Sequence, residues 1–132
     1  KPVANRVQPN KRPRSSMSPI LVVDGSGKFL MAIGSPGGSR IIGYVAKTLI
    51  ATLDWKMNIQ AAIDLPHFIN RNGITDLEIE TKLELLADKL QEMGHFVKIR
   101  KLTSGLHGIL VHKDGTLSGG ADHRREGVAV GD

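Results

Sequence analysis

Gly34-Ser35-Pro36-Gly37-Gly38-Ser39 separates two segments of opposite character. Before it, Phe29 to Ile33 is a continuous apolar run. After it, Ile41, Val45, Leu49 and Leu53 recur at every fourth residue, flanked by Ile42, Ala46 and Ile50. The first segment reads as a strand. The second reads as a helix with a wide apolar face, from about Ser39 to Asp54. A stretch with a proline and two adjacent glycines belongs to the interior of neither, so it is the turn that joins them.

Upstream, Ile20 to Val23 is a second apolar, β-branched run, and Asp24-Gly25-Ser26-Gly27 supplies turn chemistry. The two runs therefore form a β-hairpin, and their continuous apolarity predicts that both faces are covered. Downstream, Asn58 is placed to cap a short helix through Ala61, Ala62 and Ile63, which stops before Pro66. Pro66 to Thr75 has weak periodicity and reads as loop, and Leu77 to Ile79 as a short strand. Leu83, Leu86, Ala87, Leu90 and Met93 mark an amphipathic helix with Gly94 at its C′ position. Phe96 to Ile99 is a strand. Gly108 to Val111 and Thr116 to Ala121 flank Lys113-Asp114-Gly115 as a last hairpin. The order β-β-α-α-β-α-β-β-β predicts an α+β fold, a mostly antiparallel sheet with helices packed on it.

The 132 residues include no cysteine, which removes disulfides, thiolate metal sites and cysteine nucleophiles. Lys and Arg number 18 against 13 Asp and Glu. Lys1, Arg6, Lys11, Arg12 and Arg14 fall in the first fourteen residues, where there is no acid, so the rest balances at 13 against 13. Residues 1–14 read as a basic extended lead-in, and residues 15–132 as one domain fragment. With no surplus charge on the body and no aromatic in the lead-in, a nucleic-acid partner is not expected. No apolar run approaches the roughly 18 residues of a membrane span, and no apolar signal-peptide core follows the N-terminus.

Other motifs fail on spacing. Gly25-Ser26-Gly27-Lys28 lacks the upstream glycine and following hydroxyl of a phosphate loop. His107 and His112 are five apart and would face opposite sides of a strand, while His67, His95 and His123 stand alone, so no metal site is expected. Glu80, Glu84 and Asp88 at i+4 spacing read as a solvated helix face.

Two polar segments border the first hairpin: Ser15-Ser16-Met17-Ser18-Pro19 and Ser35 to Arg40. Pairing of the strands brings Ser15 and Ser16 toward Gly37 and Gly38. Glycine amides at a helix start lack side-chain cover and sit at the positive end of the helix dipole. They suit an oxyanion or a carboxylate, and serine hydroxyls add donors of the same kind. A turn that merely happens to use glycine is the competing reading, and the residues alone leave the two even.

Lys11-Arg12-Pro13-Arg14-Ser15-Ser16-Met17-Ser18-Pro19 resembles the K-R-P-L-S-S-M-S-P segment of the γ-glutamyltransferase (γ-glutamyl transpeptidase) family. Gly34 to Ile42 is similar to that family's G-S-P-G-G-S-R-I-I. Asp54 to Asn58, Ala62, Asp64, Pro66, Phe68, Gly94-His95, Asp114-Gly115 and Gly120-Ala121-Asp122 with Arg124 follow its pattern too.

The resemblance implies an N-terminal nucleophile hydrolase with an αββα sandwich, made as a precursor that cleaves itself into a large and a small subunit. The new N-terminal threonine of the small subunit attacks the γ-glutamyl carbonyl of glutathione, with its own amine as base. Water or an acceptor amine then resolves the acyl-enzyme. By this resemblance Gly37 and Gly38 are the oxyanion-hole glycines, and Ser15 and Ser16 hold the substrate α-carboxylate. No cofactor is called for. The family's T-T-H motif and the acid that binds the substrate amine find no match upstream of Ser15. The chain is thus expected to be the C-terminal part of the small subunit and inactive alone. Its partners would be the rest of that subunit, the large subunit and a γ-glutamyl compound, in the periplasm or outside the cell.

Arg14 stands where the family is apolar, His67 where it commonly has arginine, and His123 where it has proline. Gly43-Tyr44 replace small polar residues. The alternatives are a cephalosporin-acylase-like or polyglutamate-cleaving relative, or a stand-alone basic anion- or nucleic-acid-binding module. Apolar faces normally covered by the rest of such an enzyme predict self-association of the isolated chain.

Overall fold

The computed structural model describes residues 3–131. Strand β1 (Ile20–Val23) pairs antiparallel with β2 (Phe29–Gly34), with Ile20 opposite Ile33. Asp24 builds the turn between them. Its carboxylate accepts from the backbone amides of Ser26 and Lys28, both at 2.9 Å, and from the Ser26 hydroxyl at 2.6 Å. A single-residue bulge beside Val23 absorbs the turn's twist.

From β2 the chain passes through a 3₁₀ turn at Gly38–Arg40 into α1 (Ile41–Leu53). Helix α2 (Ile59–Asp64) starts at Asn58, whose side chain accepts from the amides of Gln60 and Ala61. Next come β3 (Phe68–Asn70), β4 (Thr75–Glu78), a 3₁₀ turn at Lys82–Leu86, α3 (Ala87–Glu92) and β5 (Val97–Arg100). The last hairpin is β6 (His107–Val111) and β7 (Leu117–Ala121).

The strands form two sheets among the described residues. One is antiparallel, in the order β1-β2-β6-β7; the other has the order β3-β4-β5. The core lies between the first sheet and the helices α1 and α2. It contains Met31 and Ile33 from β2, Tyr44 and Val45 from α1, and Ile59 and Ile63 from α2, all at 4% exposure or less. Helix α2 lies close on β6 and β7 because Gly108 and Gly120 leave room. A Cβ at either would fall 2.7 Å from the tip of Ile59 or Ile63.

Four expectations need correction. Phe68–Asn70 is a strand, not loop: it is held by pairing with β4 rather than by its own pattern. Strands β4 and β5 pair in parallel, because the α3 crossover returns the chain in the same direction. The helix expected over residues 83–93 is divided between a 3₁₀ turn and six α residues, and none of these is buried. With no core to seat its apolar stripe, the segment does not form one continuous helix. Glu80 accordingly lies before the helix, in a left-handed conformation, with its amide bonded to the Glu84 carboxylate. Finally, β1 is covered on one face only. Leu21, Val23, Ile109 and Leu117 are exposed on the first sheet, whose outer face meets little but the closing segment, where Ala129 lies over Gly119.

Candidate functional site

The β2–α1 turn is held from both sides. The Ser35 hydroxyl accepts from the Gly105 amide at 3.2 Å and donates to the Pro36 carbonyl at 2.7 Å. Gly37 has φ 136°, a conformation that side chains rarely adopt. A Cβ there would lie 2.7 Å from the Tyr44 ring. Gly38, at φ 60°, opens the 3₁₀ turn that leads into α1. The carbonyls of Gly37 and Gly38 accept from Arg40 and Ile41. Their amides donate to no acceptor among the described residues. No acidic residue occupies the first turn of α1 to compete for that end of the helix.

The antiparallel register returns residues 15–19 toward the same turn. Ser16 and Ser39 line one cleft of about 490 Å³. Ser15 is exposed, and its hydroxyl accepts from the Met17 amide at 3.2 Å. The structure therefore places Ser16 on the same cleft as Ser39, the residue that follows the glycine pair. Ser15, Gly37 and Gly38 are not among the residues that line that cleft.

Behind the turn lies a buried polar network that sequence reasoning did not assemble. The Tyr44 ring that walls Gly37 packs on His67, with ring centroids 4.3 Å apart. His67 Nε2 is 2.7 Å from the Ser104 hydroxyl, which donates to Asp122 Oδ2 at 2.5 Å. Because Ser104 spends its one hydrogen on Asp122, His67 must donate through Nε2. Its Nδ1 is left fully buried without a hydrogen-bond partner among the described residues. Asp122 also accepts from the Leu106 amide and, through Oδ1, from the Arg124 amide and guanidinium. Arg124 completes a two-point pair with Glu78, whose Oε2 accepts the His67 amide at 2.7 Å.

Burial, reinforced by the cations Lys47 and Arg124, pushes His67 down to about 2, so the ring is neutral. Burial alone would raise the Asp122 carboxyl. The hydrogen bonds from Ser104, Arg124 and Leu106 outweigh it and hold Asp122 ionised, below its ordinary value. Lys47, half-buried and bonded to the Leu65 carbonyl, falls to about 8, with burial as the main cause. The sequence offered two signals for this network: Asp122 and Arg124 belong to a quoted motif, and Tyr44 and His67 stand out as departures from the family's pattern. Ser104 lies in no regular element and carried none. Among the described residues no three histidine, aspartate or glutamate side chains converge as metal ligands.

Residues 1–132 match the family described as gamma-glutamyltranspeptidase. The chain belongs to that family. It is 38% identical over 122 residues to the glutathione hydrolase proenzyme of Escherichia coli, covering 92% of this chain and 21% of that protein. It is 36% identical over 131 residues to the glutathione hydrolase proenzyme of Bacillus subtilis, covering 97% and 22%. Its fold matches a solved mutant of Helicobacter pylori gamma-glutamyltranspeptidase with TM-score 0.82 and 32% identity, over 95% of this chain and 69% of that one. This chain is thus α+β, part of an N-terminal nucleophile hydrolase sandwich, as the family resemblance implied. It spans about a fifth of the length of the curated relatives it matches.

Proposed function

We propose that this chain supplies the oxyanion hole and the carboxylate grip of an enzyme that cleaves γ-glutamyl amides such as glutathione. One observation carries the reading: two uncommitted glycine amides at the start of α1, with Ser16 in the adjoining cleft. The nucleophile is an N-terminal threonine contributed outside this sequence. Its hydroxyl attacks the γ-carbonyl, and negative charge develops on the carbonyl oxygen. The Gly37 and Gly38 amides donate to that oxygen. They do not reorient during the step, because the Ser35–Gly105 bond and the Tyr44 ring already fix the turn. The intermediate collapses by expelling the amine, and water or an acceptor amine releases the acyl group. Ser15 and Ser16 donate to the α-carboxylate and set which acyl group enters.

Residues 1–14 serve as a lead-in to the body at 15–132. The rest of the small subunit and the large subunit are the partners, and the exposed Ile42, Ile50, Trp55 and Phe68 suit burial against them. The enzyme acts in the periplasm or outside the cell. No described helix is long and apolar enough to cross a membrane.

The test is release of p-nitroaniline from γ-glutamyl-p-nitroanilide by the full-length enzyme that contains this chain. Ser15→Ala/Ser16→Ala should raise KM by about 10-fold or more. Unchanged KM would remove the serines from the site. A second reading rests on 32% identity to an acylase proenzyme of Pseudomonas. Glutaryl substrates lack the α-amino group, so preference for a glutaryl over a γ-glutamyl amide would favour it.

A further inference from the structure

The peptide that joins Gly37 to Gly38 carries the Gly38 amide on one side and the Gly37 carbonyl on the other. With glycine at both ends, such a peptide can turn over at little steric cost. Turned over, it would present the Gly37 carbonyl where the Gly38 N–H now points, and a carbonyl oxygen repels a developing oxyanion instead of stabilising it. Tyr44 walls Gly37, but a Cβ at Gly38 would meet nothing within 4 Å, so no packing holds the second glycine. What opposes the turnover is a hydrogen bond: the Arg40 amide donates to the Gly37 carbonyl at 3.3 Å. That length lies beyond the usual N–H···O range, so the bond depends on Arg40 being held in place.

Arg40 is held from the second sheet. It turns both Nε and Nη2 onto Asp76 Oδ2, at 3.0 and 2.6 Å. Asp76 lies on β4, the middle strand, where it pairs with Ile69 of β3 and Lys98 of β5. Its side chain is 6% exposed and that of Arg40 18%, so solvent and salt screen the pair little. The other carboxylate oxygen is 3.7 Å from Arg100, too far for a hydrogen bond. From this we infer that Asp76 is a positioning residue of the oxyanion hole: by clamping Arg40 it keeps the Gly37 carbonyl on the Arg40 amide and the Gly38 N–H facing away from it. The inference rests on the proposed γ-glutamyl reading and deepens it, because it names what sets the second donor. It also gives the small sheet a task, since its central strand delivers one carboxylate to the start of α1, 36 positions away from the arginine it holds.

The experiment uses the processed full-length enzyme that contains this chain, with γ-glutamyl-p-nitroanilide as donor. Asp76→Asn keeps the shape and removes the charge. It should lower kcat by about 10-fold, short of the 10²–10³ that complete loss of a donor costs, with KM within about twofold of wild type. A 10-fold loss corresponds to about nine molecules in ten with the peptide turned over, so a crystal structure of the variant should show the Gly37–Gly38 peptide in the reversed orientation. In an Arg40→Gln background, Asp76→Asn should lower kcat by less than about twofold further, because its route is already cut. Arg40→Lys keeps the charge but not the fork of nitrogens, and it carries the same comparison of kcat, KM and peptide orientation where the asparagine variant fails to fold. A kcat within threefold of wild type, a KM that moves as far as kcat, full additivity in the double variant, or an unturned peptide in the variant structure overturns the positioning role. Absence of γ-glutamyl hydrolysis by the wild type overturns the proposed function instead, and the variant structure still decides whether Asp76 sets the peptide.

Discussion

Adding one methyl group at Gly37 or at Gly38 separates a steric wall from a backbone preference. At Gly37 the new Cβ would meet Tyr44 Cε2 at 2.7 Å, and that ring is 1% exposed and packed on His67, so it has nowhere to retreat. The clash costs about 1–3 kcal/mol. The φ of 136° adds a further strain of order 1–3 kcal/mol. The turn is the softer partner and moves, taking the Gly37 amide away from the developing oxyanion. Loss of one such donor lowers kcat by about 10²–10³. At Gly38 a Cβ meets nothing within 4 Å, and only the left-handed φ of 60° is penalised, by about 1–2 kcal/mol. Its amide stays in place. Gly37→Ala should therefore reduce kcat by about 10²–10³, while Gly38→Ala costs less than about 10-fold, both with KM nearly unchanged. The assay is p-nitroanilide release by the processed full-length enzyme, with thermal unfolding run alongside to show that both variants fold. A Gly37→Ala enzyme within threefold of wild type, or a Gly38→Ala enzyme that is the worse of the two, would refute the assignment of the Tyr44 wall.

Asp122→Asn removes the charge that pairs with Arg124 and orients Ser104 in a fully buried site. It should destabilise the fold by about 3–5 kcal/mol, read as a drop in the denaturant midpoint; a shift too small to measure would show the network to be dispensable. His67 contributes a pH dependence with a definite sign. Its folded value is about 2, below the ordinary 6.5, so the native state holds it neutral and the unfolded chain takes up the proton. Its contribution is complete above about pH 6.5 and is lost as pH falls toward 2, at up to about 1.4 kcal/mol per pH unit. Unfolding curves at several pH values below 6.5 should flatten in His67→Asn, and an unchanged slope would remove His67 as the cause. The 132-residue chain alone should self-associate through Leu21, Val23, Ile109 and Leu117. Light scattering that finds only monomer at high concentration would refute that.

The hairpins and caps were legible because each rests on one short-range device. Asp24 closes its turn through its own carboxylate, Asn58 caps α2, and Gly115 takes φ 88° in the turn after Asp114. The second sheet was not legible, because its devices are non-local. Phe68–Asn70 is too short for a pattern and exists through its pairing with β4. The parallel pair was present in the order β4–α3–β5, a strand, a helical crossover and a strand. The flanking hairpins drew the reading toward an antiparallel arrangement instead.

The candidate site divides along the same line. Gly37-Gly38 and Ser15-Ser16 could be proposed from the sequence because the anion chemistry lies in adjacent residues. Their support could not, because His67 and Ser104 are 37 positions apart, and Ser104 and Asp122 are 18 apart. The distinction has a physical consequence. A turn with a glycine in a strained conformation has no preference of its own for the geometry an oxyanion needs, so something outside it must hold it. Tyr44 does so at Gly37, and the rigidity of Tyr44 in turn depends on His67, Ser104 and Asp122 remaining a closed set of hydrogen bonds with a neutral imidazole. An arginine at position 67 would bring a further cation beside Arg124 and Lys47, which already disfavour a charged His67. The aromatic at position 44 and the histidine at position 67 therefore act as one packed pair, with ring centroids 4.3 Å apart. His67→Arg alone should lower the denaturant midpoint more than His67→Arg combined with Tyr44→Ser, and equal midpoints would refute the coupling.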